Sequence, residues 1–240
     1  MVAVQSIDLR RACGWISVCA LIVFLAVGVV AYPYLLSGAL PRFGVSPVAI
    51  ALLFSVALSF AVRGRSWVGP LRRSAAPSIG IPILLAAAAF SGDSLYLQLV
   101  PSIVYLTLAS WFYASLRSGD SIIERTARFL VPEAPDFIRP YCRKVTGLWV
   151  TFFAASAFAI ACLAIAGLRS EWAFFTGKLV YALMIAASFL EFLFRKTWFR
   201  YYFHGGWFDR LWRRLFPPEN TPEGRRSMQH ISDYWREHNG

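Results

Sequence analysis

Charge is scarce in this chain. Only 15% of its 240 residues are Asp, Glu, Lys or Arg, where a soluble domain carries about 25%, so too little polar surface is left to clothe a water-facing globule. Histidine is scarcer: His204, His230 and His238 all lie in the C-terminal tail, too few and too scattered to converge on a metal. The four cysteines, Cys13, Cys19, Cys142 and Cys162, stand far apart with no C-x-x-C spacing, which removes the second common metal signature. No cofactor is expected. Acids are also few, 13 against 24 basic residues for a formal net charge of +11. No nucleic-acid-binding motif accompanies that charge, and no nucleic-acid partner is expected.

What the chain has instead is apolar residues in long blocks, 58% hydrophobic and 16% aromatic with a mean hydropathy of +0.53. A bilayer-spanning helix needs about 20 mostly apolar residues. Six blocks approach this: Trp15–Tyr32, Val45–Val62, Ala75–Ser91, Leu95–Leu116, Val145–Leu168 and Gly177–Phe194. The third is short and interrupted by Pro77, Gly80 and Pro82, so a re-entrant hairpin with the fourth is an alternative. The first follows "DLRR" as a signal-peptide core would, but it exceeds the 7–15 residues of such a core and reads as a span.

Basic residues give an independent check, because cytoplasmic loops gather Lys and Arg. The N-terminal tail holds Arg10 and Arg11, the 63–74 loop four arginines, the 117–144 loop six basic residues, and the tail from Arg195 nine more. Of the 24, that leaves Arg42, Arg169 and Lys178 for the opposite side. The pattern predicts an all-α polytopic protein of about six transmembrane helices. It is multi-pass in a cytoplasmic membrane with both termini cytoplasmic. Residues 1–200 form the membrane domain, and 201–240 a basic cytoplasmic tail.

Two short amphipathic helices are expected on the cytoplasmic side. In "FHGGWFDRLWRRLF" the His-Gly-Gly resembles an oxyanion-hole loop, but the chain has no G-x-S-x-G and no βαβ pattern to support one. On a helical wheel Trp207, Phe208, Leu211, Trp212, Leu215 and Phe216 share one half, and Asp209, Arg210, Arg213 and Arg214 the other. Gly205–Gly206 and Pro217–Pro218 bracket the segment. Such a helix suits the membrane interface, with its arginines toward lipid phosphates. In "SGDSIIERTARFLVP", Ser121 and Glu124 have capping-box spacing. Ile122, Ile123, Ala127, Leu130 and Val131 group opposite Glu124, Arg125 and Arg128. This charged face, with Arg139, Arg143 and Lys144, is a candidate docking surface for lipid head groups or a cytosolic partner.

Within the expected spans one acid stands out. Glu191 has Arg195 four residues on, the favourable order for an i,i+4 pair. Both side chains can reach the head groups, so an anchoring pair competes with a functional intramembrane acid. Asp93, in "SGDS", reads as a solvated loop residue. The aromatics at 111–113, 149 and 198–203 fit an interfacial belt.

From residue 122 to about 195 the chain resembles a known family. "IIERTARFLVPEAPDFIRPYCRKVTGLWVTFF" and "LVYALMIAASFLEFLFR" are similar to small inner-membrane proteins of bacterial aryl-polyene and xanthomonadin-type pigment gene clusters. The resemblance rests on Glu124, Arg125 and Arg128, on Glu133 and Pro135, on Tyr141, Arg143, Thr146 and Trp149, and on Glu191 and Arg195. It implies a place in building or handling a polyene lipid on acyl carrier proteins, without supplying a reaction. A non-catalytic scaffold for pigment biosynthesis in the inner membrane is the first expectation, with lipids and an acidic acyl carrier protein or other cytosolic assembly enzymes as partners. Transport of the lipid-linked product comes second. A membrane-bound acyl or glycosyl transferase comes last, since no histidine lies in a span and Glu191 is the one acid that does.

Overall fold

The computed structural model describes residues 31–63, 79–130, 135–198 and 207–239. Among these the chain is helical, with no strand. Residues 31–43 form α1, followed by α2 (Val45–Arg63), α3 (Gly80–Ser91), α4 (Ser94–Arg117) and α5 (Ile122–Leu130). A 3-10 turn, Asp136–Ile138, leads into α6 (Arg139–Ile165), and α7 (Arg169–Trp198), α8 (Trp207–Leu215) and α9 (Pro222–Asn239) complete the order.

Three of these helices, α4, α6 with its leading turn, and α7, are long and apolar enough to cross a membrane. The expected first span lies outside the described residues except for its last two. The expected second coincides with α2, whose apolar part, Val45–Leu58, is shorter. The third is realised as the 12-residue α3, about 18 Å long at 1.5 Å per residue against a hydrocarbon core of about 30 Å. Only Gly92 and Asp93 join α3 to α4. Gly92 takes φ 68°, a left-handed conformation that favours glycine, and the Asp93 carboxylate accepts from the Leu95 N–H at 2.8 Å. Asp93 is thus the N-cap of α4 as well as an exposed loop residue.

The chain divides into two compact units. The first comprises Met1–Asp120 and Thr146–Tyr181, the second Ser121–Val145 and Ala182–Gly240.

In the first unit α3 packs against both α2 and α4. Its buried positions are rich in alanine, among them Ala49, Ala88, Ala109, Ala157 and Ala164, since small residues let helices approach where lipid removes the hydrophobic incentive to associate. Phe153 lies amid Tyr105, Phe112 and Trp149, with ring centroids 5.2–6.1 Å away. Pro101 sits inside α4 and has no N–H to give the Leu97 carbonyl. The Tyr32 hydroxyl donates to that oxygen instead, at 2.8 Å. One residue on, the Gln98 carbonyl accepts from the Trp172 indole at 3.1 Å, and the Ser102 hydroxyl donates to Ala157 O at 2.8 Å. The turn around the proline thereby ties α1, α6 and α7 to α4. Large apolar side chains point outward, including Phe54, Phe90, Phe158 and Ile165, a surface suited to lipid.

In the second unit the end of α7 is tied to the tail. The Thr221 hydroxyl donates to Trp198 O at 3.0 Å and accepts from Gly224 N–H at 3.1 Å, capping α9. Neither the apolar blocks nor the two amphipathic segments of the sequence predict α9.

Candidate functional site

The charged residues singled out from the sequence lie in the second unit. Ser121 caps α5, its hydroxyl accepting from the Glu124 N–H at 3.3 Å. The capping-box spacing suggested that the Glu124 side chain would turn back to the cap; it turns away. Glu124 is 0% exposed, so of the charged face expected from Glu124, Arg125 and Arg128 it is not available for docking. Its Oε1 accepts from Arg128 Nη2 at 3.3 Å, and its Oε2 lies 3.6 Å from Arg139 Nε. A fully buried carboxylate needs such compensation.

Arg128 bridges outward as well, reaching Asp136 Oδ1 at 2.7 Å. That hydrogen bond raises the Arg128 pKa above its ordinary value; desolvation opposes the rise and Glu124 reinforces it. Arg128 therefore stays charged and holds the 3-10 turn before α6 to the α5 helix. Nothing in the sequence pointed to Asp136, eight residues away, because the segment between them has no helical periodicity to relate their positions.

The Glu191–Arg195 pair forms as expected, at 3.3 Å. A third member joins it: the Tyr141 hydroxyl donates to Glu191 Oε1 at 2.9 Å, across fifty residues. Tyr141 stacks on Phe194 with rings 16° apart, and Phe194 in turn on Trp198 at 12°. Cys142, next to Tyr141 on α6, is buried.

Several basic residues of this unit are exposed. Arg125, Arg139, Arg143 and Lys144 are exposed, as are Arg210 and Arg214 on α8; the side chain of Arg213 lies outside the described residues. Leu211, Leu215 and Phe216 are also exposed, so α8 presents apolar and basic groups together. Glu133 lies outside the described residues, and Pro135 is buried.

The arrangement can hold anions on its rim through Arg and Lys. The buried Glu124 and the partly exposed Glu191 are each engaged with arginines. In comparisons with known proteins, no family model matches the chain, and no curated protein or solved structure matches it.

Proposed function

We propose that this chain is a non-catalytic accessory protein of the bacterial inner membrane that gathers cytosolic assembly enzymes, or an acidic acyl carrier protein, at the bilayer during biosynthesis of an aryl-polyene-type pigment. The single observation carrying this reading is the exposed basic surface of the second unit, Arg125, Arg139, Arg143 and Lys144, built on a carboxylate, Glu124, that is spent on orienting arginines. An acidic partner is drawn to such a surface by complementary charge. The pigment context rests on the sequence resemblance alone, and six spans with cytoplasmic termini rest on the distribution of basic residues. The helices α5 and α8 belong at the interface in this reading, with Leu211, Leu215 and Phe216 toward acyl chains and Arg210 and Arg214 toward phosphates.

The test is binding of purified acyl carrier protein to the full chain in nanodiscs across a salt series. Binding that weakens with salt and is lost when Arg125, Arg143 and Lys144 are reversed to Glu supports the scaffold. Arg128 is left alone, because its reversal would break the Glu124 cluster. No binding at low salt overturns the reading. A deletion strain that makes finished pigment but retains it in the inner membrane would place the protein in transport instead.

A further inference from the structure

The first unit holds a cavity at the junction of α6 and α7, independent of the basic residues of the second. At the end of α6, Gly167 takes φ 70°; its N–H donates to Ala164 O and the Leu168 N–H to Leu163 O, both at 3.1 Å. This pattern stops a helix and turns the chain, and α7 starts two residues later at Arg169. Beside the turn lies an open cavity of about 460 Å³ lined by Leu163, Ser170, Glu171, Phe174, Phe175 and Leu179. Its size is within the range of about 300–1,000 Å³ found for small-ligand sites.

The lining is sorted along α7. Ser170 and Glu171 stand in its first turn, where the Ser170 hydroxyl donates to Glu171 Oε2 at 2.7 Å. Phe174, Phe175 and Leu179 follow, with Leu179 about 12 Å along the axis from Glu171 at 1.5 Å per residue. A carboxylate at the start of a helix long enough to span a bilayer, with hydrocarbon inward of it, matches the profile of a lipid lying alongside, head group at the helix start and acyl chain toward the middle. Charge then selects the head group. Glu171 stands in the sequence between two exposed cations of the same helix, Arg169 and Lys178, and Lys178 can extend its ammonium toward the helix start. An anionic head group would meet the Glu171 carboxylate, and a choline head group has no N–H to donate. A phosphoethanolamine head group brings three N–H donors for Glu171 and Ser170 and a phosphate for Lys178.

We infer that this cavity binds one phospholipid with a primary-amine head group, its ammonium on Glu171, its phosphate toward Lys178 and one acyl chain along Phe174, Phe175 and Leu179.

The experiment titrates the full chain, purified in detergent, with phosphatidylethanolamine, phosphatidylcholine and phosphatidylglycerol of identical acyl chains, and reads bound lipid by native mass spectrometry. The first phosphatidylethanolamine is expected to bind about tenfold tighter than phosphatidylcholine, the worth of a charge-assisted hydrogen bond. Glu171→Gln should bring phosphatidylethanolamine down to the level of phosphatidylcholine and leave phosphatidylcholine unchanged. Leu163→Trp, which fills the apolar part of the cavity, should weaken both. Equal binding of the three lipids by the natural protein overturns the inference, and so does a preference for phosphatidylglycerol, which would assign the choice to Arg169 and Lys178. A preference that survives Glu171→Gln, or a folded Leu163→Trp protein that binds as the natural one does, also overturns it. Glu171 is exposed, so Glu171→Gln leaves the packing alone and decides the outcome even where Leu163→Trp fails to fold.

Discussion

The Tyr32 hydroxyl completes a hydrogen bond that Pro101 denies to Leu97, donating to its carbonyl at 2.8 Å. The oxygen that a proline strips of its helical partner must be met by a neighbour wherever water is excluded. Tyr32→Phe should therefore destabilise the protein by about 1–3 kcal/mol, the cost of a buried acceptor left unpaired. With Pro101→Ala in the background, the helix regains its own donor and the same change should cost much less. Thermal unfolding of the four proteins in one detergent measures this coupling, and additive losses would contradict it.

Glu124 should prove the least replaceable charge in the second unit. Removing one member of a buried pair costs about 3–5 kcal/mol; with Arg128 and Arg139 partly exposed, at 35% and 49%, solvent relieves some of this, and Glu124→Ala should cost about 2–3 kcal/mol. Arg125→Ala, on the exposed side of the same helix, should leave the unfolding midpoint within experimental error. Comparable losses from both changes would mean that Glu124 is not compensated as described.

Tyr141→Phe keeps the stacking on Phe194 and removes only the donor to Glu191. A loss of about 1 kcal/mol is expected, and Tyr141→Leu should lose more because the aromatic stack goes too. Chemical denaturation at constant detergent distinguishes the two. Equal effects would assign the whole contribution to packing.

Gly224 leaves no room for a side chain, because an added Cβ would collide with the Pro218 carbonyl and lie 2.6 Å from Thr221 Oγ1. Gly224→Ala should displace the start of α9 and break the Thr221 link to Trp198. Limited proteolysis should then cut the tail faster while α4 and α6 stay protected. An unchanged cleavage pattern would show that α9 holds without this junction.

How far these features were legible depends on the distance over which each is decided. The start of α2 at Val45, the extent of α4, the α8 helix and the Glu191–Arg195 pair follow from neighbours a few residues apart, and the sequence placed them well. The helices α6 and α7 begin earlier than their apolar blocks, at Arg139 and Arg169, because hydropathy marks where a helix becomes apolar and not where it begins. Pro101 and Gln98 carry no such mark, since a proline in an apolar run gives no sign of which neighbour will serve its freed carbonyl.

Composition alone determined that this chain is helical and apolar enough to enter a membrane, because long apolar blocks leave backbone groups no partners but their own. Tertiary structure decided which polar groups turn inward. Glu124 lies among arginines, Tyr141 reaches Glu191, and Tyr32 serves Leu97. Each of these depends on which helix faces which. Among helices apolar all round, hydropathy carries no signal for that choice; close packing of small residues and the pairing of buried polar groups make it.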